Sequence, residues 1–139
     1  MRRQIGAFEL DDDPERIDVD AVHGYLAASY WAEGRSRDVV EQLVRAAARV
    51  VGLYQGERQI GFARVVSDEH AHAYLADVYV LPELQGRGLG LELVREAVDN
   101  GPHAGLRWLL HTREAHGLYA KLGFGPPSER VMERGPTPR

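Results

Sequence analysis

A glycine-rich run in the middle of the chain has the composition of an anion-binding loop. It reads Gln-Gly-Arg-Gly-Leu-Gly at residues 85–90, between an apolar stretch at 74–81 that predicts a strand and a helical pattern at 91–99. Glycine lets the backbone turn tightly, and the first turn of the following helix offers unpaired N–H groups and the positive end of its dipole. The run therefore predicts a cradle for a pyrophosphate group.

Two common phosphate-binding loops do not fit this spacing. A P-loop needs two glycines followed by Lys and Ser or Thr, whereas Gly90 is followed by Leu-Glu-Leu. A dinucleotide fingerprint reads Gly-x-Gly-x-x-Gly, whereas this run reads Gly-x-Gly-x-Gly and comes shortly after Pro82. Neither a nucleoside triphosphate site nor a dinucleotide site is predicted.

The pattern Gln-x-x-Gly-x-Gly resembles the acetyl-coenzyme A loop of the GCN5-related N-acetyltransferase (GNAT) superfamily. Upstream, the sequence Leu-Ala-Asp-Val-Tyr-Val-Leu-Pro at residues 75–82 is similar to the fourth strand of that family. Downstream, Leu-Tyr-Ala-Lys-Leu-Gly-Phe at residues 118–124 is similar to its second signature, a helix that carries a tyrosine and ends at Gly-Phe. The two motifs occur in the order that the family requires.

The resemblance implies acetyl-CoA as co-substrate. In the family, the backbone of the fourth strand binds the pantetheine arm and polarises the thioester carbonyl, while the glycine loop binds the pyrophosphate. The residues expected to contact the coenzyme are therefore Val78, Tyr79, Val80, Gln85, Gly86, Arg87, Gly88, Leu89, Gly90 and Thr112.

Two of these expected contacts have alternatives. Arg87 is equally compatible with a solvated position at the start of the helix. In many relatives an asparagine contacts the pantetheine, whereas this chain has Glu114 at that place. The hydroxyl of Thr112 is the candidate to make this contact instead. Thr112 would otherwise cap the following helix.

Tyr119 is the strongest catalytic candidate. Acetyl transfer to an amine needs a neutral amine, stabilisation of the developing oxyanion and a proton for the leaving thiolate. Tyr119 lies four residues before Gly123 and matches the family tyrosine that points at the coenzyme sulfur. The resemblance implies that it acts as the general acid, although such a tyrosine also fits simple packing on a half-buried helix.

Asp77 is the second catalytic candidate. An acid at this place recurs in several acetyltransferases of small amines, where it binds or deprotonates the ammonium group. Strand alternation predicts that Asp77 and Tyr79 share a face and that Val78 and Val80 share the other. A carboxylate in an apolar strand is costly unless it is paired, so a structural partner such as an arginine is the alternative.

The acceptor site is expected to involve two aromatic residues in the loop between the first two predicted helices. In the family this loop forms one wall of the acceptor site, although core packing is an equal alternative for Tyr30 and Trp31. The predicted substrate contacts are Tyr30, Trp31, Asp77 and Tyr79.

Composition limits the class of protein. The 139 residues fit one domain spanning 1–139, and 27% charged with 44% apolar residues is typical of a soluble protein. The absence of cysteine excludes disulfides, thiolate metal ligands and an acetyl-cysteine intermediate. We expect cytoplasmic residence, because neither a membrane-spanning stretch nor a signal-peptide core is visible.

Charge and histidine spacing limit the partners. A net charge of −4 and the lack of a basic stripe argue against nucleic acid and favour a cationic amine. The pairs His70 with His72 and His111 with His116 do not have the spacing of a helical zinc site, so no metal is expected. The chain is compatible with a homodimer.

The hydrophobic pattern predicts an α/β fold of order β-α-α-β-β-β-α-β-α-β. The expected strands are at residues 4–10, 49–54, 59–66, 72–81, 106–111 and, as a short last strand, 131–132. The expected helices run from a cap at Asp18 or Asp20 to residue 29, from a cap at Ser36 to residue 48, and over 91–99 and 114–122, with a loose tail at 135–139. The resemblance implies a mixed, mostly antiparallel sheet that splays apart between its fourth and fifth strands.

The leading hypothesis is an N-acetyltransferase that passes acetyl directly to a primary amine, through a ternary complex with a small-molecule acceptor. The alternative is a sensor or partner-binding module that binds acyl-CoA on the same fold without efficient catalysis. A toxin or regulator that acetylates proteins would normally have a basic groove for its partner, and the acidic composition weighs against it.

Overall fold

The protein is built around a six-stranded sheet whose strands lie in chain order. The computed structural model describes residues 1–137. All neighbouring strands are antiparallel except the last two, which are parallel and are connected by a helix. The strands are β1 (Arg2–Ile5), β2 (Phe8–Asp11), β3 (Arg49–Gln55), β4 (Arg58–Ser67), β5 (His72–Val80) and β6 (Arg107–Leu110).

Four helices cover the two faces of the sheet. They are α1 (Val19–Ala27), α2 (Arg37–Ala46), α3 (Leu89–Val98) and α4 (His116–Ala120). The caps expected for the first two are present, since Asp18 accepts from the Ala21 amide at 3.0 Å and Ser36 from the Val39 amide at 3.2 Å. One apolar cluster packs α1 and α2 on one face, and another packs α3 and α4 on the opposite face.

The prediction of a single first strand over residues 4–10 was wrong. The segment forms the hairpin β1–β2, in which Ile5 pairs with Phe8. Gly6 turns the chain with φ of +57°, a conformation that glycine adopts without a steric penalty. The hairpin adds one strand to the edge of the sheet beside β3.

The predicted last strand at residues 131–132 was also wrong. No strand follows β6 in the described part of the chain, and Met132 is 94% exposed. Pro126, Pro127 and Pro136 flank this region, and proline cannot donate to a sheet ladder. The observed order is therefore β-β-α-α-β-β-β-α-β-α.

The remaining differences concern the ends of elements. Helix α4 is shorter than the predicted range of 114–122, because it begins only at His116 and a left-handed Gly123 follows its last turn. The last two residues of the predicted loose tail lie outside the described residues. Within residues 1–137, no helix has the length and apolar character needed to cross a membrane.

Candidate active site

The sheet forks between β5 and β6. Their parallel pairing runs from His72 with Arg107 to Leu75 with Leu110 and stops there. Beyond this point, the edge of β5 from residue 76 to residue 80 has no strand beside it among the described residues. This free edge of backbone N–H and C=O groups leads directly to the glycine loop, and the expected coenzyme-contacting positions Val78, Tyr79 and Val80 lie on it.

A bulge interrupts β5 at the start of the free edge. Phe62 of β4 pairs with Tyr79, whereas Arg64 pairs with Ala76, so β5 contains one extra residue between these pairs. Asp77 lies in this bulge with φ of +57°, a left-handed conformation that aspartate tolerates better than most residues. Asp77 and Tyr79 both lie on the α1–α2 side, as predicted, but strict alternation along the strand does not hold.

The glycine loop presents a set of backbone donors. Gly86 and Gly88 have φ of +80° and +78°, and α3 begins immediately afterwards without a side-chain cap. Within residues 1–137 we find no hydrogen-bond acceptor for the amides of residues 86–91. Unpaired amides at a helix N-terminus are suited to bind a pyrophosphate.

The two polar side chains of this loop behave differently. Gln85 Nε2 donates to the Val80 carbonyl at 2.9 Å, so its amide ties the loop to the end of β5. Arg87 is exposed and makes no ion pair with any described residue. Leu89 is buried, and a Cβ at Gly90 would lie 3.3 Å from the Leu118 side chain, so glycine there lets α3 approach α4 closely.

Tyr119 lies on α4 with only 9% of its surface exposed. Its ring packs edge to face against Phe124, with ring centroids 5.9 Å apart. Burial, and after it the neighbouring Tyr30, raises the pKa of Tyr119 to about 12. The hydroxyl is therefore protonated at neutral pH, as a proton donor must be.

Tyr30 and Trp31 are surface residues rather than core residues, with 51% and 38% of their surfaces exposed. Their rings meet edge to face at 5.2 Å. The guanidinium of Arg113 lies 3.8 Å from the centre of the Tyr30 ring, which joins the α1–α2 loop to the β6–α4 loop. Tyr30 is also near enough to Tyr119 to affect the pKa of the Tyr119 hydroxyl.

Asp77 is bound by three side chains, all on its own face of the sheet. Its Oδ1 accepts from Trp31 Nε1 at 3.0 Å and from Arg35 Nη1 at 2.9 Å. Its Oδ2 accepts from Arg35 Nη1 and from Arg64 Nε, each at 2.9 Å. The arginine partner that the sequence left as an alternative is therefore present, and there are two of them.

Tyr79 lies apart from this group. Its ring stacks on Tyr25 with centroids 4.0 Å apart, and burial raises the pKa of its hydroxyl. A neighbouring cavity of about 620 Å³ is lined by Tyr25 and Tyr79 but by neither Asp77 nor Tyr119. Among the predicted substrate contacts, Tyr30, Trp31 and Asp77 are brought together, and the Tyr79 side chain is not.

Thr112 is the second residue after β6, the strand that forms the other arm of the fork. Its Oγ1 accepts from the Ala115 amide at 3.0 Å and stabilises the bend before α4. Thr112 is not the cap of that helix, because α4 begins at His116, with Ala115 at the capping position and no side-chain cap. Glu114 is exposed and lies 3.5 Å from Arg113.

A chain of hydrogen bonds that the sequence did not predict lies next to the fork. The Tyr74 hydroxyl contacts His111 Nδ1, and His111 Nε2 contacts the Glu133 carboxylate. His111 is the first residue after β6. Burial, then the charges of Glu133 and Asp77, raises the pKa of Tyr74, while Arg64 acts in the opposite direction.

The residues that sequence reasoning missed carried different signals. Arg64 interrupts an otherwise apolar strand, as Asp77 does on the neighbouring strand, and two opposite charges on adjacent strands could have been paired. Arg35 gave no such signal, because the path of its loop depends on how α1 and α2 pack. Tyr74 and Glu133 are far apart in sequence and meet only in the fold.

Comparison with known proteins agrees with this geometry. A family model described as "Acetyltransferase (GNAT) family" matches residues 8–124. The acetyltransferase FG08082 of Gibberella zeae is 29% identical over 142 residues, covering 86% of this chain and 80% of that protein. Peptidyl-lysine N-acetyltransferase YjaB of Escherichia coli is 30% identical over 106 residues, covering 76% of this chain and 67% of that protein.

A solved structure is similar over almost its whole length. The crystal structure of an acetyltransferase of the GNAT family from Xanthomonas campestris has a TM-score of 0.87 and 34% identity, covering 95% of each chain. The expected fold and the expected superfamily are thereby confirmed. This chain belongs to the GNAT family and is an N-acetyltransferase.

Proposed function

We propose that the enzyme transfers the acetyl group of acetyl-CoA directly to a primary amine of a small molecule while both substrates are bound. The observation that carries the proposal is the fork, whose free β5 edge runs into the unpaired amides of the glycine loop. An extended pantetheine arm fits beside such an edge and a pyrophosphate fits the loop. The chain has no cysteine to carry the acetyl group in between.

In this proposal Tyr119 donates a proton to the leaving thiolate. Its raised pKa keeps the hydroxyl protonated, and Tyr30 of the proposed acceptor site is near enough to contribute to that raised pKa. The amides of Gly86, Gly88 and Gly90 hold the pyrophosphate. Asp77 holds Arg35 and Arg64 in place, because both of its oxygens already accept hydrogen bonds.

We assign proton removal from the amine to the chain of Tyr74, His111 and Glu133. With its proton on Nε2, His111 donates to Glu133 and accepts from Tyr74. The ammonium N–H bond breaks as its proton passes to the Tyr74 oxygen, while the former Tyr74 proton moves to His111 Nδ1. Glu133 stabilises the resulting imidazolium, which returns its proton to solvent.

One other acceptor follows from a specific observation, and the sensor of acyl-CoA stays the alternative for the test. YjaB, which is named a peptidyl-lysine N-acetyltransferase, is similar enough to make a lysine side chain of a protein the second candidate acceptor. A sensor that binds acyl-CoA without turnover would retain the glycine loop but would not need Tyr119. Cytoplasmic residence and a homodimer stay predictions.

The decisive experiment is an acetyl-CoA thiol-release screen over polyamines, aminoglycosides, amino acids and lysine-containing peptides. Turnover on a small amine supports the proposal, and turnover confined to peptides supports the second candidate. Tight coenzyme binding without turnover on any acceptor would contradict transferase activity and favour the sensor. Tyr119→Phe serves as the control for enzyme-dependent release.

A further inference from the structure

Two guanidinium groups near the fork have hydrogen-bonding capacity that the protein does not use. An arginine has five N–H donors. Within residues 1–137, the guanidinium of Arg64 donates hydrogen bonds from Nε alone and that of Arg35 from Nη1 alone, all of them to Asp77. The terminal nitrogens of Arg64 are not among the fully buried atoms that lack a partner, so they keep some contact with solvent.

The charge of this cluster is unbalanced. Two guanidinium groups face a single carboxylate, while the side chains of Arg64, Arg35 and Asp77 are only 11%, 29% and 3% exposed. Glu33, on the same loop as Arg35, makes no ion pair with either arginine in the described structure. An excess positive charge in a largely buried place is costly unless an anion is bound beside it.

We propose that the acceptor amine also carries a carboxylate, and that Arg35 and Arg64 bind this carboxylate beside Asp77. The planar guanidinium groups match a carboxylate through paired hydrogen bonds. Asp77 lies in the bulge next to the fork, so a carboxylate held there leaves the amine of the same molecule near the thioester. The acceptor class is then an amino acid or a similar amino carboxylic acid rather than a polyamine.

This inference rests on the proposed function for its kinetic test. The rates of acetyl-CoA turnover should be compared for pairs of amines that differ only in the carboxylate, namely amino acids and their decarboxylated forms. For the best substrate pair, we expect kcat/KM to be roughly 10- to 100-fold higher for the amino acid than for its decarboxylated form. This is the size of effect expected from losing one hydrogen bond to a charged group. Arg35→Gln should remove this preference mainly through KM.

The matched control is Arg37→Gln. Arg37 lies two residues away, is exposed, and pairs with Asp20 and Glu41 on the outer surface. The Arg37→Gln substitution should leave the preference for the carboxylate unchanged. Arg64→Gln removes a buried ion-pair partner and can unfold the protein, so Arg35→Lys is the second variant. It keeps the charge but loses the planar guanidinium group, and it should recover only part of the preference.

A binding readout separates this inference from the proposed reaction. Trp31 donates to Asp77, so its fluorescence should respond when the acid binds, and Trp108→Phe removes the other tryptophan signal. Saturable binding of the acid, absent in Arg35→Gln, without any turnover would support the carboxylate site and contradict the reaction. Turnover with equal kcat/KM for both members of every pair would overturn the carboxylate site.

Discussion

The chemistry of a single residue here depends on its neighbours more than on its type. Asp77 is a carboxylate next to the fork, yet three side chains occupy its oxygens. A carboxylate whose oxygens already accept several hydrogen bonds has few lone pairs free for a substrate proton. This is why we place proton removal on Tyr74 and His111 and give Asp77 a positioning role.

Tyr119→Phe should lower kcat by roughly 10²- to 10⁴-fold with little change in coenzyme affinity, because it removes only the donated proton. Since burial raises the pKa of Tyr119 to about 12, its hydroxyl should stay protonated between pH 7 and 10. The wild-type kcat should therefore not fall in this range through deprotonation of Tyr119. Steady-state kinetics across pH provides the measurement. Tyr54→Phe is the control, because it removes a buried hydroxyl that has no partner and lies on β3. An unchanged kcat in Tyr119→Phe would remove the assignment.

His111→Asn should lower kcat/KM by roughly 10²-fold or more, because the proton of the amine then has no acceptor beyond Tyr74. The kcat/KM of the wild type and of the variant is measured with an acceptor from the thiol-release screen. His116→Asn changes an exposed histidine on α4 and should leave kcat/KM unchanged. An unchanged kcat/KM in His111→Asn would contradict the proton chain.

At the scale of elements, a loop and a helix together make the proposed anion site. A Cβ at Gly86 or Gly88, the two loop glycines with positive φ, would meet no atom within 4 Å, so their role is conformational and not steric. The two left-handed glycines lead into the first turn of α3, and the amides of residues 86–91 have no acceptor within residues 1–137. A side chain at these positions would disfavour that arrangement without causing a clash.

Gly88→Ala should weaken coenzyme A binding by roughly 10-fold, because the left-handed conformation costs an alanine about 1–2 kcal/mol. Calorimetric titration with coenzyme A measures the effect. Gly56→Ala is matched in conformation, with φ of +61°, but lies in the β3–β4 turn. The Gly56→Ala substitution should lower the stability of the protein without changing the dissociation constant for coenzyme A. If Gly88→Ala bound coenzyme A as tightly as Gly56→Ala does, the glycine loop would not be the coenzyme-binding site.

At the scale of the whole molecule, a buried ion-pair network joins the N-terminal hairpin, the sheet and α3. Glu96 on α3 pairs with Arg3 of β1 and with Arg49 of β3, and Arg49 also pairs with Asp12. Burial alone would raise the pKa of Glu96, but hydrogen bonds from Arg3 and Asn100 and the nearby positive charges outweigh it and lower that pKa.

Glu96→Gln should lower the free energy of unfolding by about 1.5–3 kcal/mol at pH 7, because it removes one of the two counter-charges of the buried Arg49 and leaves only Asp12. A lowered pKa in the folded state stabilises the protein above the unfolded value near 4.5, and this stabilisation is lost as pH falls through the folded pKa. The difference between wild type and variant should therefore shrink in acid. Urea unfolding at several pH values tests this, with Glu41→Gln on the α2 surface as a control costing less than about 1 kcal/mol. A constant difference at all pH values would contradict the assignment.

The amino-acid sequence by itself determined the family, the order of most elements and the place of the glycine loop before α3. These depend on local patterns: glycine spacing, strand alternation, and the caps at Asp18 and Ser36. The sequence did not show the hairpin at Gly6 or the missing last strand, because a short strand forms only if a neighbour pairs with it. It could not choose between the two roles of Asp77.

Only the tertiary structure decided which charged groups meet at the fork. Arg35, Arg64 and Asp77 come from a loop and two strands, and their pairing depends on a one-residue bulge that redirects Asp77. Glu133 reaches His111 through a segment without regular structure. Such contacts arise from the packing of distant elements, whose geometry no local sequence pattern encodes.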